Sequence, residues 1–294
     1  MNQPEHARRS TPLEEAVTIL FCLVDDVYQN INPNAQRYEN VKKLSDSEVM
    51  TLALFQQLRG IESQRSFLRD AARFFSHLFS GVIGLAPSSL HRRIRKLRSF
   101  LEPMRRAVLS DLVGEPETLL IDSTLLSVLH PRQVGQSAGF AGAAWTRWGS
   151  FSVYGVKLHL PCATNGVPLS YELTSANVAE VRLTEELLTE ANLGREVVRT
   201  VLGDLAYRSG PLKSKLAESG VRLVTERAKQ HGAGQRIGIS LSSLKRVFRL
   251  GGTLATTLTG LVTRIAAKVA AYTHAFWINR LLGRPQGQFE DLRA

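Results

Sequence analysis

Two short apolar runs that each end in an aspartate constrain this chain more than any other feature. Thr118 to Ile121 runs into Asp122, and Val197 to Leu202 runs into Gly203-Asp204. A continuous apolar run of this length reads as a strand buried on both faces, and such a strand needs a sheet covered by helices. The residues between and after them supply the rest of that sheet. Phe151 to Leu160 alternates with period two, setting Tyr154, Val156, Leu158 and Leu160 against Val153, Gly155, Lys157 and His159. An Asn165-Gly166 turn then leads into Pro168 to Leu173, which predicts a hairpin. Val181 to Ala191 and Pro211 to Glu218 read as helices, and Val221 to Thr225 as a further strand. The order strand, hairpin, helix, strand, helix, strand, helix implies a mixed α/β sheet with helices on its faces.

Ahead of Gly114 the periodicity is helical. Val17, Leu20, Phe21, Val24 and Tyr28 recur at offsets of three and four, as do Leu68, Ala71, Phe75, Leu78 and Phe79. Ser45-Asp-Ser-Glu48 before Val49 is a capping box, so a helix begins at Asp46. Pro87-Ser-Ser opens another pattern, Leu90 to Met104, with Ser88 or Ser89 as its cap. The polar face of that helix carries Arg92, Arg93, Arg95, Lys96 and Arg98. Gly251 to about Leu282 reads as a long Ala/Thr-rich helix. The expected organisation is a helical domain over residues 12–113, followed by an α/β domain over 114–294 that includes this last helix.

Lys and Arg number 37 against 26 Asp and Glu, a net charge of +11. That excess favours a polyanionic partner, nucleic acid first. Two distant cysteines exclude a disulfide framework or a zinc module as the organising principle and fit a reducing cytosol. No signal-like apolar segment opens the chain, and Leu250 to Thr263 is too short and too closely flanked by cations to span a bilayer. A cytoplasmic protein without a membrane partner is expected.

Ligands of open α/β sheets bind at the carboxyl ends of strands, where Asp122 and Asp204 are expected. Two aligned carboxylates in a basic protein suit divalent cations and a phosphate backbone, and two ions about 3.5–4 Å apart serve an in-line phosphoryl displacement. Taken singly, either aspartate is more simply a turn former or cap. Trp145-Thr-Arg-Trp148 joined to Tyr154 through His159 gathers aromatics and cations. Trp145 and Trp148 either cover a sheet edge or stack on unpaired bases, with Arg147 and Lys157 meeting phosphates.

Ile121-Asp122-Ser123, Trp148-Gly149 with Tyr154 to His159, Glu172 to Asn177, and Gly203-Asp204-Leu-Ala-Tyr207-Arg208-Ser209 together resemble a bacterial insertion-sequence transposase of the DDE class, over nearly the whole chain. The resemblance implies a ribonuclease H-like catalytic domain in which two aspartates and a glutamate bind two Mg²⁺ or Mn²⁺ ions. The helical region ahead of it would recognise transposon ends, and the protein would work as a homo-oligomer on double-stranded DNA, both ends and target, at the nucleoid. Asp122 matches the first carboxylate and Asp204 the second. The third is expected on the helix after the last strand, seven residues before Lys245, where this chain has Gly238.

Three readings of Gly238 follow. The ligand is Glu226 instead; the copy is catalytically inactive and only occupies or represses transposon ends; or two aspartates and water hold metal weakly. Arg236, Lys245 and Arg246, in a stretch from Arg227 to Arg249 without a carboxylate, are expected phosphate contacts beside the site. A structure-specific nuclease without strand transfer would use the same aspartates.

Overall fold

A computed structural model of the chain describes residues 13–33, 42–135, 138–191, 198–225, 241–252 and 254–292. The capping box at Ser45 forms as its sequence dictates. The Glu48 amide donates to Ser45 Oγ at 2.9 Å and the Ser45 amide donates to Glu48 Oε2, starting a helix over Asp46–Leu58. Leu13–Ile31 is the first helix, with Val17, Leu20, Val24 and Tyr28 on its buried face. The apolar pattern around Leu68 forms a helix over Gln64–Phe74, which stops before Phe75 and leaves Leu78 partly exposed.

The basic pattern from Leu90 to Met104 is not one helix. It divides into Pro87–Leu97, a 3-10 turn at Arg98–Phe100 and Leu101–Ala107. Pro103 has no amide proton to give to residue 99, so a helix running on from residue 97 would lack a rung there. Nor do Ser88 and Ser89 cap its start. The helix begins on Pro87 itself, with Ala86 as the N-cap and no side-chain cap bond.

Among the described residues the chain divides into two compact units, one of 1–107 with 270–294 and one of 108–269. The later part of the last helix, Leu258–Leu281, therefore groups with the N-terminal helices, whereas its sequence position alone joins it to the sheet. Within the first unit, Tyr272, Phe276 and Phe289 form an aromatic cluster with centroids 5.1 Å apart, Phe276 edge-on to each of the other two rings. Arg105, wholly buried, is held by Glu102 through two bonds of 2.8 and 2.6 Å.

The second unit carries a mixed six-stranded sheet: β1 Thr118–Leu129, β2 Ala144–Trp148, β3 Phe151–Ala163, β4 Glu172–Ser175, β5 Thr200–Gly203 and β6 Arg222–Thr225. The strand order is β2-β3-β1-β5-β6, with β4 beside β3. β1 pairs antiparallel with β3 and parallel with β5, and β5 pairs parallel with β6. With helices Thr184–Ala191 and Gly210–Glu218 in the crossovers and a helical region ahead of it, this is the ribonuclease H-like mixed sheet expected above. The turn after β3 closes through Gly166, at φ 90°, whose amide donates to the Ala163 carbonyl. At Gly155 the β1 backbone comes so close that a Cβ would lie 2.2 Å from the Leu126 carbonyl oxygen.

Strand limits differ from the sequence reading: β3 runs on to Ala163, β4 covers Glu172–Ser175 while Pro168 makes only an isolated bridge with Cys162, and β6 starts at Arg222 rather than Val221. β1 does not end at Asp122 but continues to Leu129, because β3 is long enough to pair with it as far as Tyr154. β5 starts at Thr200 rather than Val197, where Glu117 O accepts the amides of Arg199 and Thr200.

Candidate active site

The parallel pairing of β1 with β5 ends at Ile121 opposite Gly203. Asp122 and Asp204 are the next residue on each strand, so their backbones stand about one strand spacing apart, roughly 4.8 Å. This comes from the register, although only β5 ends there. Each carboxylate is anchored locally. Asp122 Oδ1 accepts the Ser123 amide at 2.7 Å, and Asp204 caps the 3-10 turn Leu205–Tyr207 by accepting the Ala206 amide at 2.9 Å.

Burial first, with the charges of Asp204 and Glu180, raises the Asp122 carboxyl to about 6 against the Ser123 amide and Lys245. Burial, then Glu180, also raises Asp204. Both aspartates thus hold negative charge against an unfavourable environment, and that cost is relieved by a cation shared between them. Two hard oxygen donors suit Mg²⁺ or Mn²⁺, which keep several waters and need only one or two protein carboxylates. Among the described residues no three acidic, His or Cys side chains converge into a ready metal group. Gly238, Arg236 and Glu226, the positions expected to bear on the third ligand and one phosphate contact, lie outside the described residues.

A third acidic residue does stand near the pair, and no periodic signal in the sequence points to it. Glu180 opens the 3-10 turn Glu180–Leu183 after β4. Its carboxylate pairs with Lys157 Nζ at 2.7 Å and accepts from Ser123 Oγ at 3.2 Å. Burial acts to raise Glu180, but Lys157 and Ser123 hold it below the ordinary range. Register puts Ser123 and Lys157 on the face of the sheet opposite Asp122, since Asp122 faces Leu160 while Leu125 faces Lys157. Glu180 therefore acts on the aspartates by its charge and has its own partners. Tyr207, wholly buried, fills the space beyond Gly203, where a Cβ on that glycine would touch its ring at 3.1 Å. Burial first, then the charges of Asp122, Glu180 and Asp204, raise its hydroxyl strongly.

His159 is wholly buried with Nε2 3.0 Å from Thr174 Oγ1, and burial lowers it to about 4. It is neutral and occupied by the sheet. Lys157, besides Glu180, donates to the Val178 carbonyl at 2.9 Å.

The other expected phosphate-binding cations fall into two groups. Arg147 is exposed near the end of β2. Lys245 and Arg246 are exposed on helical residues 241–246; Lys245 Nζ lies 5.8 Å from the Trp148 ring centre, and its charge reaches Asp122. In the N-terminal unit Arg92, Arg95, Lys96 and Arg98 are at least partly exposed, whereas Arg93 is committed to the Leu44 carbonyl and to Asp46. The sequence did not single out a further basic concavity of about 360 Å³ lined by Arg208, Lys213 and Arg222. Its cations are separated in sequence and meet only because β6 lies beside β5.

The model of the transposase DDE domain family matches residues 114–273, more than half of the chain, and the chain belongs to that family. No curated protein matches it. Among solved structures, a piggyBac transposase synaptic complex with hairpin DNA, determined by cryo-EM, is similar over 99% of this chain and 80% of that one, at 12% identity and a TM-score of 0.42.

Proposed function

We propose that this member of the DDE family is a bacterial insertion-sequence transposase that binds the ends of its own element, cleaves phosphodiester bonds there and joins the freed 3′-hydroxyl to target DNA. The carrying observation is the placement of Asp122 and Asp204 one residue beyond the last parallel pair of two adjacent strands. Function is read from that pair and its surroundings, since a fold hosts many chemistries. Asp122 and Asp204 would hold the divalent metal. Bound there, Mg²⁺ or Mn²⁺ supplies a nucleophilic water at neutral pH and Lewis-acid stabilisation of the phosphoryl oxygens.

The chain's own part is to hold, orient and neutralise. The Ser123 and Ala206 amides fix one carboxylate each, and Tyr207 keeps water from the buried side of the pair. With its carboxyl raised to about 6, Asp122 is largely ionised at pH 7.5 and protonates as the pH falls through 6. Lys245, Arg246 and Arg147 provide cations on the same unit for the scissile strand, and Arg92, Arg95 and Lys96 on the helix Pro87–Leu97, with Arg98 in the turn after it, provide them for the element end. Arg93 and Lys157 already have protein partners. A homo-oligomer on paired ends, at the nucleoid in the cytoplasm, completes the proposal.

Gly238 supports a second reading, a copy that binds ends but cuts poorly or not at all. One measurement separates the two: Mg²⁺- and Mn²⁺-dependent nicking of DNA carrying the sequences that flank this gene, with the chain as given and with Gly238→Glu. Nicking by the natural chain that Asp122→Ala abolishes supports the transposase. Nicking only by the Gly238→Glu protein supports an impaired copy whose third ligand belongs at 238. End binding without nicking in either protein leaves the DNA-binding reading.

A further inference from the structure

β3 begins before β1 can reach it. The last residue of β3 that β1 pairs with is Tyr154, opposite Leu129, whereas β2 pairs with β3 through Arg147 opposite Ser152 and Trp148 opposite Phe151. The end of the β2–β3 hairpin is therefore a two-stranded ribbon extending past the sheet. Such a ribbon has little intrinsic stability, and its root is pinned by Trp145 packing edge-on to Tyr154 at 5.4 Å. Its tip turns through Gly149, at φ 58°. On either side of that turn stand Trp148, 59% exposed, and Phe151, 74% exposed. Two large aromatics facing water on a projecting ribbon are costly for a free protein, and they mark a binding surface.

Charge selects the kind of partner. No carboxylate occurs between Asp122 and Glu172, while Arg132, Arg147 and Lys157 do. Lys245 stands over the Trp148 ring and its charge also acts on Asp122, so one cation is shared between the ribbon tip and the aspartate pair. A second copy of this chain would bring cations to cations. A partner with flat apolar faces and a polyanionic backbone is single-stranded or locally opened DNA, whose bases stack on aromatics while cations hold the phosphates.

We propose that the β2–β3 ribbon tip is a base-stacking element: Trp148 and Phe151 receive unpaired bases of the DNA strand next to the aspartate pair, and Arg147 and Lys245 hold the flanking phosphates. This rests on the reading of the protein as acting on DNA. It adds that the DNA is opened at the point of attack and that this ribbon keeps it open.

The test compares binding, by fluorescence anisotropy, of two duplexes carrying the sequence that flanks this gene, one fully paired and one with three mismatched base pairs at its terminus. Base–aromatic stacking is worth about 1–3 kcal/mol per base, which corresponds to a preference of roughly fivefold or more for the opened duplex. The natural chain should show that preference. Trp148→Ala with Phe151→Ala should lose it while keeping its affinity for the paired duplex, and Trp148→Phe should retain most of it. Trp148→Leu, which keeps the apolar bulk without the π face, should lose it and serves as the folded control by circular dichroism.

A preference that survives both the double-alanine and the leucine variants overturns the proposal. So does a change in sedimentation state alone, which would make the tip an interface between copies. Failure of the natural chain to bind either duplex overturns the DNA reading itself and this proposal with it.

Discussion

Replacing Asp122 by Asn should make the protein more stable at neutral pH while removing the proposed chemistry. Burial, with Asp204 and Glu180 adding to it, raises this carboxyl from 3.8 to about 6. An acid raised in the folded state binds more protons folded than unfolded between those two values. Folding stability therefore falls as pH rises through that window, and the loss is complete above it. About two pH units at 1.36 kcal/mol each amount to about 3 kcal/mol lost at pH 7.5. Asn is close in size and keeps an oxygen to accept the Ser123 amide, which Asp122 binds at 2.7 Å. The substitution thus removes the ionisation cost and little else. For a unit of this size about 1 kcal/mol moves the melting temperature by roughly 2–4 °C, so the expected gain is about 6–12 °C. The assay is thermal denaturation by circular dichroism of both proteins between pH 4 and 8 in EDTA. The gain should be full above pH 7 and shrink towards zero by pH 4, where the natural carboxyl is itself protonated. Millimolar Mn²⁺ at pH 7.5 should raise the natural protein more than the Asn variant. A melting temperature for Asp122→Asn at or below that of the natural chain at pH 7.5, or a gain undiminished at pH 4, refutes the reasoning.

Ser45→Ala removes one partner of the capping box and should cost about 1 kcal/mol, read as a shift in urea midpoint with unchanged slope. Glu102→Gln leaves the buried Arg105 without its carboxylate and should cost about 3 kcal/mol at neutral pH by chemical denaturation. Burial works to raise Glu102, but Arg105 and Arg106 hold it below 4.5, so its contribution is present above the unfolded value and is lost as pH falls through the folded one. The difference between the two proteins should therefore close in acid. Gly155→Ala sets a methyl group against the Leu126 carbonyl, backbone against backbone in the central pair, and should cost at least about 2–3 kcal/mol or yield insoluble protein. Changing Arg95, Lys96 and Arg98 together to Gln should weaken DNA binding about equally for all sequences. The slope of log affinity against log salt should become shallower by about 0.9 for each phosphate that is no longer neutralised, measured by anisotropy titrations between low and physiological salt.

Most of the sheet was readable because its signals are local. The alternation from Phe151 to Leu160, the Asn165-Gly166 turn and the apolar run before Asp204 each report a backbone geometry within a few residues; the first two form where the pattern placed them, and the third forms a strand over its last part, from Thr200. Pairing partners lie outside such windows. β1 runs past Asp122 because β3 accompanies it, a fact about residues 154–160 rather than 122–129. β2 carries no two-period alternation of its own and exists because β3 offers it an edge. The kink at Arg98–Phe100 was hidden for another reason. The apolar residues at 90, 94, 97, 101 and 104 keep helical spacing across it, because a 3-10 turn displaces the stripe only slightly.

The site shows the same division between what spacing encodes and what tertiary packing creates. Asp122 and Asp204 could be found because each follows its own strand, and their neighbourhood follows from one register pair, Ile121 with Gly203. Glu180 could not, since it sits at the start of a 3-10 turn where acids are common and nothing distinguishes it from Glu185 or Glu186. Only the fold shows that Lys157, a phosphate-binding cation by its residue type, is taken up by this carboxylate, and that Arg93 is likewise taken up by Asp46. Residue type names the cations that can bind DNA, and internal ion pairing then subtracts some of them. Lys245 and Arg147 stay exposed on the unit that carries the aspartates, with Lys245 over the Trp148 ring. Lys245 ties two of these features together, since it lies over the exposed Trp148 ring and its charge acts on Asp122. A cation that serves both an aromatic face and a buried carboxylate suits the proposed DNA strand, which carries bases to the one and phosphates towards the other.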